Sequence, residues 1–216
     1  MRKNYLADKE KKTEEFLKKI YPCPDYRKIN FNIRQSALIV TDMQEYFLNK
    51  NSHAYIPASE SIVEDISSLI SVFRKNNRPV IFTRHINTKE NAGMLSEWWS
   101  DIITEENYSG LTKKLDTHGA KIIIKTQYDA FYKTELEDYL KSQQVKSVVI
   151  TGVAAHLCCE TTARAAFVRG FEVFFPVDCT ATYDEEFHLS ASRNLSHGFA
   201  HVTRCPDLLK QAGKNG

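Results

Sequence analysis

The chain has 216 residues, of which 42% are hydrophobic, and its 29 Lys and Arg nearly balance 27 Asp and Glu. A chain of this size and composition can bury a sizeable core, which excludes disordered, collagen-like and fibrous classes. The net charge of +2 comes without a long block of one sign, so a nucleic-acid partner is not expected.

The order of elements along the chain is that of an α/β protein. Five short β-rich runs predict strands, and a weaker sixth follows: Ala37–Thr41, Val80–Thr83, Lys121–Ile124, Ser147–Thr151, Glu172–Val177 and Phe199–Thr203. Helical patterns lie between several of them, at 61–73, 134–140, 161–169 and 187–195, and the first two begin with capping-box spacing. Alternating strands and helices predict a three-layer α/β sandwich with a mostly parallel, Rossmann-like central sheet.

Two segments lie outside this alternation. The charged residues 1–34 are interpreted as an N-terminal extension, a solvated helix and an arm, ahead of a main domain at 35–216. Asn87–Asp116 is a long excursion that contains Trp98 and Trp99, and such excursions often form lids or interfaces.

Several features bear on location. The run from Ser147 to Cys159 is the longest without a charged side chain, and it is too short for a membrane helix of about 20 residues. Residues 1–20 lack the apolar region of a signal peptide. The 5 cysteines are an odd number without a CxxC pair, which argues against disulfides and structural zinc. We therefore expect a cytoplasmic protein with free thiols and no membrane partner.

Three reactive side chains follow predicted strands. Asp42 follows the first strand, Lys125 follows the third, and Cys158 lies beyond the fourth, before a predicted helix. In open α/β sheets, ligands bind outside the carboxyl ends of the strands, so these groups are expected to meet. A nearby ammonium and a helix N-terminus would favour the thiolate, and Asp42 would carry the proton. The pattern indicates covalent acyl transfer without a histidine base.

Each residue also has an ordinary structural interpretation. An aspartate after a strand is often a turn or helix-capping residue, a lysine there is often a solvated charge, and a cysteine is often a small buried hydrophobe. None of these interpretations accounts for all three residues falling on one sheet edge.

At these residues the sequence resembles the isochorismatase-like cysteine hydrolase family, over roughly residues 35–205. The resemblance rests on three motifs in the family's order: Leu38–Gln44, Lys125 with Tyr128–Phe131, and Thr151–Ala154 running through His156 to Cys158–Arg164.

The resemblance implies an Asp42–Lys125–Cys158 triad and a cis peptide bond at Val153–Ala154. It further implies an oxyanion hole formed by the N–H groups of Ala154 and Cys158. The family motif selects Cys158 rather than its neighbour Cys159 as the nucleophile.

Different motifs resemble different branches of the family. The thiol favours hydrolysis of a C–N bond in a small amide or ureide through a thioester. An isochorismatase-type vinyl-ether hydrolase, which would use Asp42 as an acid, and a non-catalytic thiol or binding module remain alternatives. A dinucleotide-binding protein is not expected, because no GxGxxG follows the first strand.

The remaining expectations concern ligands and partners. Metal-binding nicotinamidases are similar, but their Asp/His cluster after the first strand is not evident, so we predict no metal and no cofactor. Arg84 and His85, with Trp98 or Trp99, are candidate substrate-binding residues. A small-molecule substrate and a homo-oligomer are expected.

Overall fold

The computed structural model describes residues 3–22 and 30–215. Within them, seven strands form one sheet. They are β1 (Ser36–Thr41), β2 (Val80–His85), β3 (Lys121–Lys125), β4 (Ser147–Val153), β5 (Glu172–Pro176), β6 (Thr180–Ala181) and β7 (His201–Thr203). The spatial order is β3-β2-β1-β4-β5-β7, β6 pairs with the end of β4, and the paired strands are parallel.

Helices connect and cover the strands. They are α1 (Lys9–Lys19), α2 (Glu45–Leu48), α3 (Val63–Lys75), α4 (Met94–Trp98), α5 (Leu136–Ser142), α6 (Glu160–Val168), α7 (Glu185–Gly198) and α8 (Cys205–Asn215). No helix of the described residues is long and apolar enough to cross a membrane.

The sheet separates two hydrophobic cores. Alternate residues of β1 point to opposite faces, so Leu38 packs with α3 and α8 while Ile39 packs with α5, α6 and α7. Every residue of β1 is buried, as expected for a central parallel strand covered on both sides. The predicted three-layer α/β sandwich is confirmed.

The sequence patterns missed some local details. The structure starts α3 at Val63, after a 3-10 segment at Pro57–Ile62, so the predicted capping role of Ser61 is wrong. Its hydroxyl oxygen instead accepts a hydrogen bond from Asn4 Nδ2 at 3.1 Å. The second predicted capping box is also shifted, because α5 is preceded by Glu135 rather than Thr134.

The N-terminal extension packs on the main domain. Phe16 of α1 is 1% exposed, and Lys12 of the same helix lies 3.0 Å from the carboxylate of Glu185. The division at residue 34/35 stays a prediction. The described cysteines, Cys158, Cys159, Cys179 and Cys205, are free and buried, and Cys23 lies outside the described residues.

Candidate active site

The register of the sheet brings the candidate residues to one edge. Thr41 pairs with Gly152, and His85 pairs with Lys125. The residues that follow β1 and β4 therefore leave the sheet side by side, next to the last residues of β2 and β3. Asp42, His85, Lys125 and Cys158 all meet at this carboxyl edge.

Gly152 allows the closest of these approaches. Its φ is +102°, and a Cβ atom at this position would lie 2.1 Å from the carbonyl oxygen of Thr41. Only glycine tolerates both the backbone conformation and the contact. Gly152 thus places Asp42 beside the segment that carries Cys158.

Asp42 is held by β2. Its backbone N–H donates to Thr83 Oγ1 at 3.0 Å, and the Thr83 hydroxyl donates to Asp42 Oδ1 at 2.5 Å. The second carboxylate oxygen, Oδ2, lies 2.8 Å from Lys125 Nζ. Asp42 has a φ of +46°, in the left-handed region that aspartate enters more readily than most residues.

Lys125 contacts the other candidate residues of the site. Its ammonium lies 3.3 Å from Cys158 Sγ and 3.3 Å from His85 Nδ1, and it donates to the carbonyl of Gln127 at 2.9 Å. Burial is the largest single influence and disfavours this charge, but the interactions with Asp42 and Cys158 together outweigh burial and raise the pKa of Lys125. Burial would likewise raise the pKa of Asp42, yet the interactions with Lys125, His85 and Cys158 together lower it. The pair is a carboxylate and an ammonium.

Cys158 lies in a π-helical turn, Ala155–Cys159, that leads into α6. The Cys159 N–H donates back to the carbonyl of Ala154 at 3.3 Å, which gives the turn its wide hydrogen bond. Burial, together with the charge of Asp42, raises the pKa of the Cys158 thiol well above its usual range, and Lys125 offsets only part of this. Burial and Asp42 therefore disfavour the thiolate, whereas the sequence analysis counted only the ammonium and the helix N-terminus, which favour it.

His85 is the other polar partner of the ammonium. Burial first, and then the charge of Lys125, lower the pKa of His85 to about 4, so the ring is neutral. Its Nε2 lies 2.8 Å from Asn87 Oδ1, while Asn87 Nδ2 donates to the carbonyl of Thr126. The hydrogen therefore sits on Nε2, and Nδ1 accepts from Lys125.

One set of possible metal ligands lies in this edge. Donor atoms of Asp42, His85 and Cys158 lie within 4.8 Å of one another. However, the Lys125 ammonium contacts all three side chains and so occupies the place that a metal ion bound to them would take. This arrangement does not fit a divalent metal, because a metal there would have to displace a buried lysine that is paired with Asp42.

The site opens into a cavity of about 830 Å³. Cys158 and Ala154 line it together with His85, and the peptide bond Val153–Ala154 is cis. Much of the wall is aromatic: Tyr5, Tyr46, Phe47, Trp99, Tyr128, His156, Tyr183 and Phe187.

Two aromatic pairs in this wall are fixed by specific contacts. The indole N–H of Trp99 donates to the hydroxyl of Tyr128 at 2.6 Å. The rings of His156 and Phe187 are stacked at 4.4 Å, with an angle of 5° between their planes. The cavity therefore has flat surfaces suited to a planar ligand.

The predicted substrate-binding residues differ in their positions. His85 and Trp99 line the cavity. Trp98 points to solvent with 75% of its surface exposed. Arg84 is directed to the loop after α4, where its guanidinium donates to the Ser109 carbonyl at 2.9 Å and lies 2.8 Å from Glu105.

Sequence reasoning missed several contributors to the site. Thr83 precedes His85 by two residues on a strand, and this spacing alone places both side chains on the face of β2 that meets Asp42. Gln44 bridges β2 and the loop after α4, because its amide donates to the carbonyls of His85 and Ser109. Tyr5 comes from a part of the chain that carried no local signal.

The profile of the isochorismatase domain matches residues 36–207. The chain belongs to the isochorismatase family. The predicted resemblance to isochorismatase-like cysteine hydrolases and the prediction of a hydrolase for small non-peptide substrates are thereby confirmed.

Individual known proteins differ in their similarity to this chain. Nicotinamidase 3 of Arabidopsis thaliana is 37% identical over 188 residues, which cover 84% of this chain and 91% of that protein. Enterobactin synthase component B of Escherichia coli K12 is 27% identical over 183 residues, covering 83% of this chain and 64% of that protein. The fold is similar to that of a cysteine hydrolase from Pseudomonas syringae, with a TM-score of 0.84, 22% identity and coverage of 88% and 97%.

Proposed function

We propose that this isochorismatase-family hydrolase cleaves the C–N bond of a small amide through Cys158. The observation that carries the proposal is the position of the Lys125 ammonium, 2.8 Å from Asp42 and 3.3 Å from Cys158, at the wall of a cavity. A carboxylate, an ammonium and a thiol in contact can perform nucleophilic acyl transfer without histidine.

The first half of the reaction forms a thioester. Cys158 Sγ attacks the amide carbonyl carbon, and its proton passes to Asp42. The carbonyl oxygen becomes an oxyanion that accepts hydrogen bonds from the N–H groups of Ala154 and Cys158. When the tetrahedral intermediate collapses, Asp42 returns the proton to the leaving nitrogen, the C–N bond breaks, and an amine or ammonia departs.

The second half releases the acid. Asp42 removes a proton from a water molecule that attacks the thioester carbonyl, and the C–S bond then breaks. The proton returns to Sγ, which restores the thiol. Lys125 keeps its charge throughout and stabilises negative charge first on Asp42 and then on the departing sulfur.

The cavity supports an amide with a planar acyl group. The Trp99–Tyr128 and His156–Phe187 pairs offer flat surfaces on its wall. The similarity to a protein named Nicotinamidase 3 agrees with a heteroaromatic carboxamide, so nicotinamide is the first compound to test.

Ammonia release from nicotinamide, with trapping of the acyl-enzyme by intact mass spectrometry, tests the proposal. We expect an adduct with the mass of the nicotinoyl group on the wild type and none on Cys158→Ala. Screening ureides and other small amides extends the test if nicotinamide is inert. Turnover of isochorismate that persists in Cys158→Ala, with no amide hydrolysed, would overturn the proposal in favour of vinyl-ether hydrolysis.

We further infer that the hydrolase domain spans residues 35–216 and that the protein acts in the cytoplasm as a homo-oligomer. The buried free thiols suit a reducing compartment. Light scattering on the purified chain measures its oligomeric state, and a mass equal to one chain, 24.8 kDa, would contradict the homo-oligomer.

A further inference from the structure

The N-terminal arm, residues 3–8, forms part of the catalytic cavity. It lies outside residues 36–207, which match the isochorismatase domain. Nevertheless, Lys3 and Tyr5 line the same cavity as Cys158. Leu6, the next residue, is 1% exposed and packs into the core beside α3. The arm is therefore built into the domain next to the reactive thiol.

The hydroxyl of Tyr5 is fixed by a directed chain of hydrogen bonds. The Thr182 N–H donates to it at 3.0 Å, and it lies 3.0 Å from Nδ1 of His188. His188 is 0% exposed, and its Nε2 lies 2.9 Å from the hydroxyl of Thr180. Because burial lowers the pKa of His188 to about 3, the ring is neutral, so a single ring nitrogen accepts. The Thr180 hydroxyl donates to the Val177 carbonyl at 3.5 Å, so it accepts from Nε2–H of His188, and Tyr5 donates to Nδ1.

Contacts on both sides of Tyr5 tie the arm to one segment of the main domain. Asn4 Nδ2 donates to the Ser61 hydroxyl at 3.1 Å, and Lys9 Nζ donates to the Ser61 carbonyl at 2.9 Å. Lys9 also forms an ion pair with Asp65 of α3. With its neighbours anchored and its hydroxyl engaged, the ring of Tyr5 has a fixed position in the cavity wall.

The hydrogen bond from the Thr182 N–H to Tyr5 also couples the arm to the segment that follows β6. Tyr183, Glu185 and Phe187 follow Thr182 and line the cavity. His156, which stacks on Phe187, lies 2.6 Å through its Nδ1 from the hydroxyl of Thr182. Tyr5 therefore contributes one wall directly and holds the residue that positions another.

We propose that the N-terminal arm is a specificity element of this enzyme. Tyr5 closes part of the cavity and limits the size of the group that a ligand bound at Cys158 can carry. The inference rests on the proposed function only in taking Cys158 as the place where a substrate reacts. The arm lies outside residues 36–207, which match the isochorismatase domain, and it adds Tyr5 to the wall of the cavity that holds Cys158.

Alkylation of Cys158 by two reagents of different size tests whether Tyr5 limits access to the thiol, and it does not require the protein to hydrolyse a substrate. Iodoacetamide and its N-biphenylyl derivative each form an S–C bond, with loss of iodide and of the thiol proton to the buffer. Rates at pH 9 are assigned to Cys158 by peptide mapping, with Cys158→Ala as the blank. The ratio of the two rates cancels the intrinsic reactivity of the thiol and reports access alone.

Three variants should differ in the ratio of the two alkylation rates. In Tyr5→Ala the ratio of bulky to small reagent should rise at least fivefold. In Tyr5→Phe, which keeps the ring and loses the hydroxyl bonds, it should rise at least twofold. Tyr21→Ala is the matched control, because Tyr21 lies in the same extension, is 49% exposed and contacts His197. Its ratio should stay within twofold of the wild type.

A folded Tyr5→Ala protein with the wild-type ratio would overturn the proposal. If near-ultraviolet circular dichroism shows that this variant does not fold, an unchanged ratio in Tyr5→Phe is the overturning result. Amide hydrolysis is not needed for either measurement. Failure of the proposed function, seen as absent acyl-enzyme, is therefore distinguishable from failure of this inference, seen as an unchanged ratio.

Discussion

The ammonium of Lys125 lies 2.8 Å from Oδ2 of Asp42, and both side chains are 0% exposed. Two buried charges are tolerated because each compensates the other, and removal of one partner costs about 3–5 kcal/mol. The same ammonium lies 3.3 Å from Cys158 Sγ, so it links the proton acceptor to the nucleophile. Variants of Lys125 and Asp42 can therefore show how each charge affects the stability of the fold and how each affects the reactivity of the thiol.

Replacement of Lys125 by methionine should destabilise the fold by about 3–5 kcal/mol, because it leaves the Asp42 carboxylate buried and unpaired. The double variant Lys125→Met/Asp42→Asn should recover part of that loss, since neither position then carries a charge. Urea unfolding at pH 7 measures both. Lys121→Met, at the other end of β3 and paired with Glu135 near the surface, is the control. Equal stabilities of the single and double variants would contradict a coupled pair.

The variant Asp42→Asn should react faster with iodoacetamide at pH 8 than the wild type does. The carboxylate of Asp42 is one of the causes that raise the pKa of Cys158, and Lys125 remains to stabilise a thiolate. Amide turnover should nevertheless fall at least a hundredfold, because the proton carrier is absent. Alkylation is followed by mass spectrometry on Cys158. A slower alkylation than in the wild type would refute the repulsion between Asp42 and the thiolate.

The two adjacent cysteines should behave differently. Cys158 lines the cavity, whereas Cys159 is 0% exposed, packs in the core beside β4 and lies 3.8 Å from the Thr151 carbonyl. Cys158→Ala should therefore abolish turnover and leave the fold intact. Cys159→Ala should keep most activity and lose about 1 kcal/mol of stability. Activity and thermal unfolding of both variants decide the assignment, and equal losses of activity would argue against it.

Features of the fold and the site could be predicted from the sequence where they depend on local residue patterns or on the order of the strands. Strands β1 to β5 and the convergence of Asp42, Lys125 and Cys158 follow from short apolar runs and from the position of parallel strand ends. The predicted starts of α3 and α5 differ from the observed ones. The hydroxyl of Ser61 contacts Asn4 instead of capping α3, and the hydroxyl of Thr134 accepts from the Leu136 N–H although α5 begins one residue later than the capping box predicts.

The state of the thiol and the cavity wall required three-dimensional information. A spacing pattern shows that Lys125 and Cys158 approach each other, but it does not show that burial and Asp42 together outweigh the ammonium. Likewise, Tyr5 lines the cavity although its hydrogen-bond partner His188 is 183 residues away in the sequence. Contacts of this separation leave no local signature in one sequence.

Gly152 should be essential to the site. A Cβ atom at this position would lie 2.1 Å from the Thr41 carbonyl oxygen, and the φ of +102° is strained for any other residue. We expect Gly152→Ala to lose at least about 3 kcal/mol of stability and all turnover. Gly110→Ala is the matched control, because nothing lies within 4 Å of an added Cβ there. Urea unfolding compares the two, and a Gly152→Ala protein as stable as the control would contradict this role.

His85 should act as a positioning residue for Lys125. Its neutral ring accepts from the ammonium through Nδ1, and its pKa of about 4 means that it does not titrate at neutral pH. In His85→Phe, kcat should fall about tenfold with little change in KM. In His85→Asn, an amide oxygen replaces Nδ1 and should restore much of kcat. The pH profile of the wild type should lack an inflection near 6.5, and its presence would show a catalytic histidine instead.

His188 should make the fold sensitive to mild acid. Its pKa is about 3 in the folded protein, far below the ordinary value of 6.5, so the unfolded chain binds this proton first as the pH falls. Stability is therefore lost below pH 6.5, by about 2 kcal/mol at pH 5 from this residue. Asp178 opposes the trend, because burial raises its pKa to about 6 and the folded state binds its proton first. Urea unfolding at pH 7, 6 and 5 should show a flatter dependence in His188→Gln and a steeper one in Asp178→Asn. If both variants retain the slope of the wild type, these two buried groups do not control its acid response.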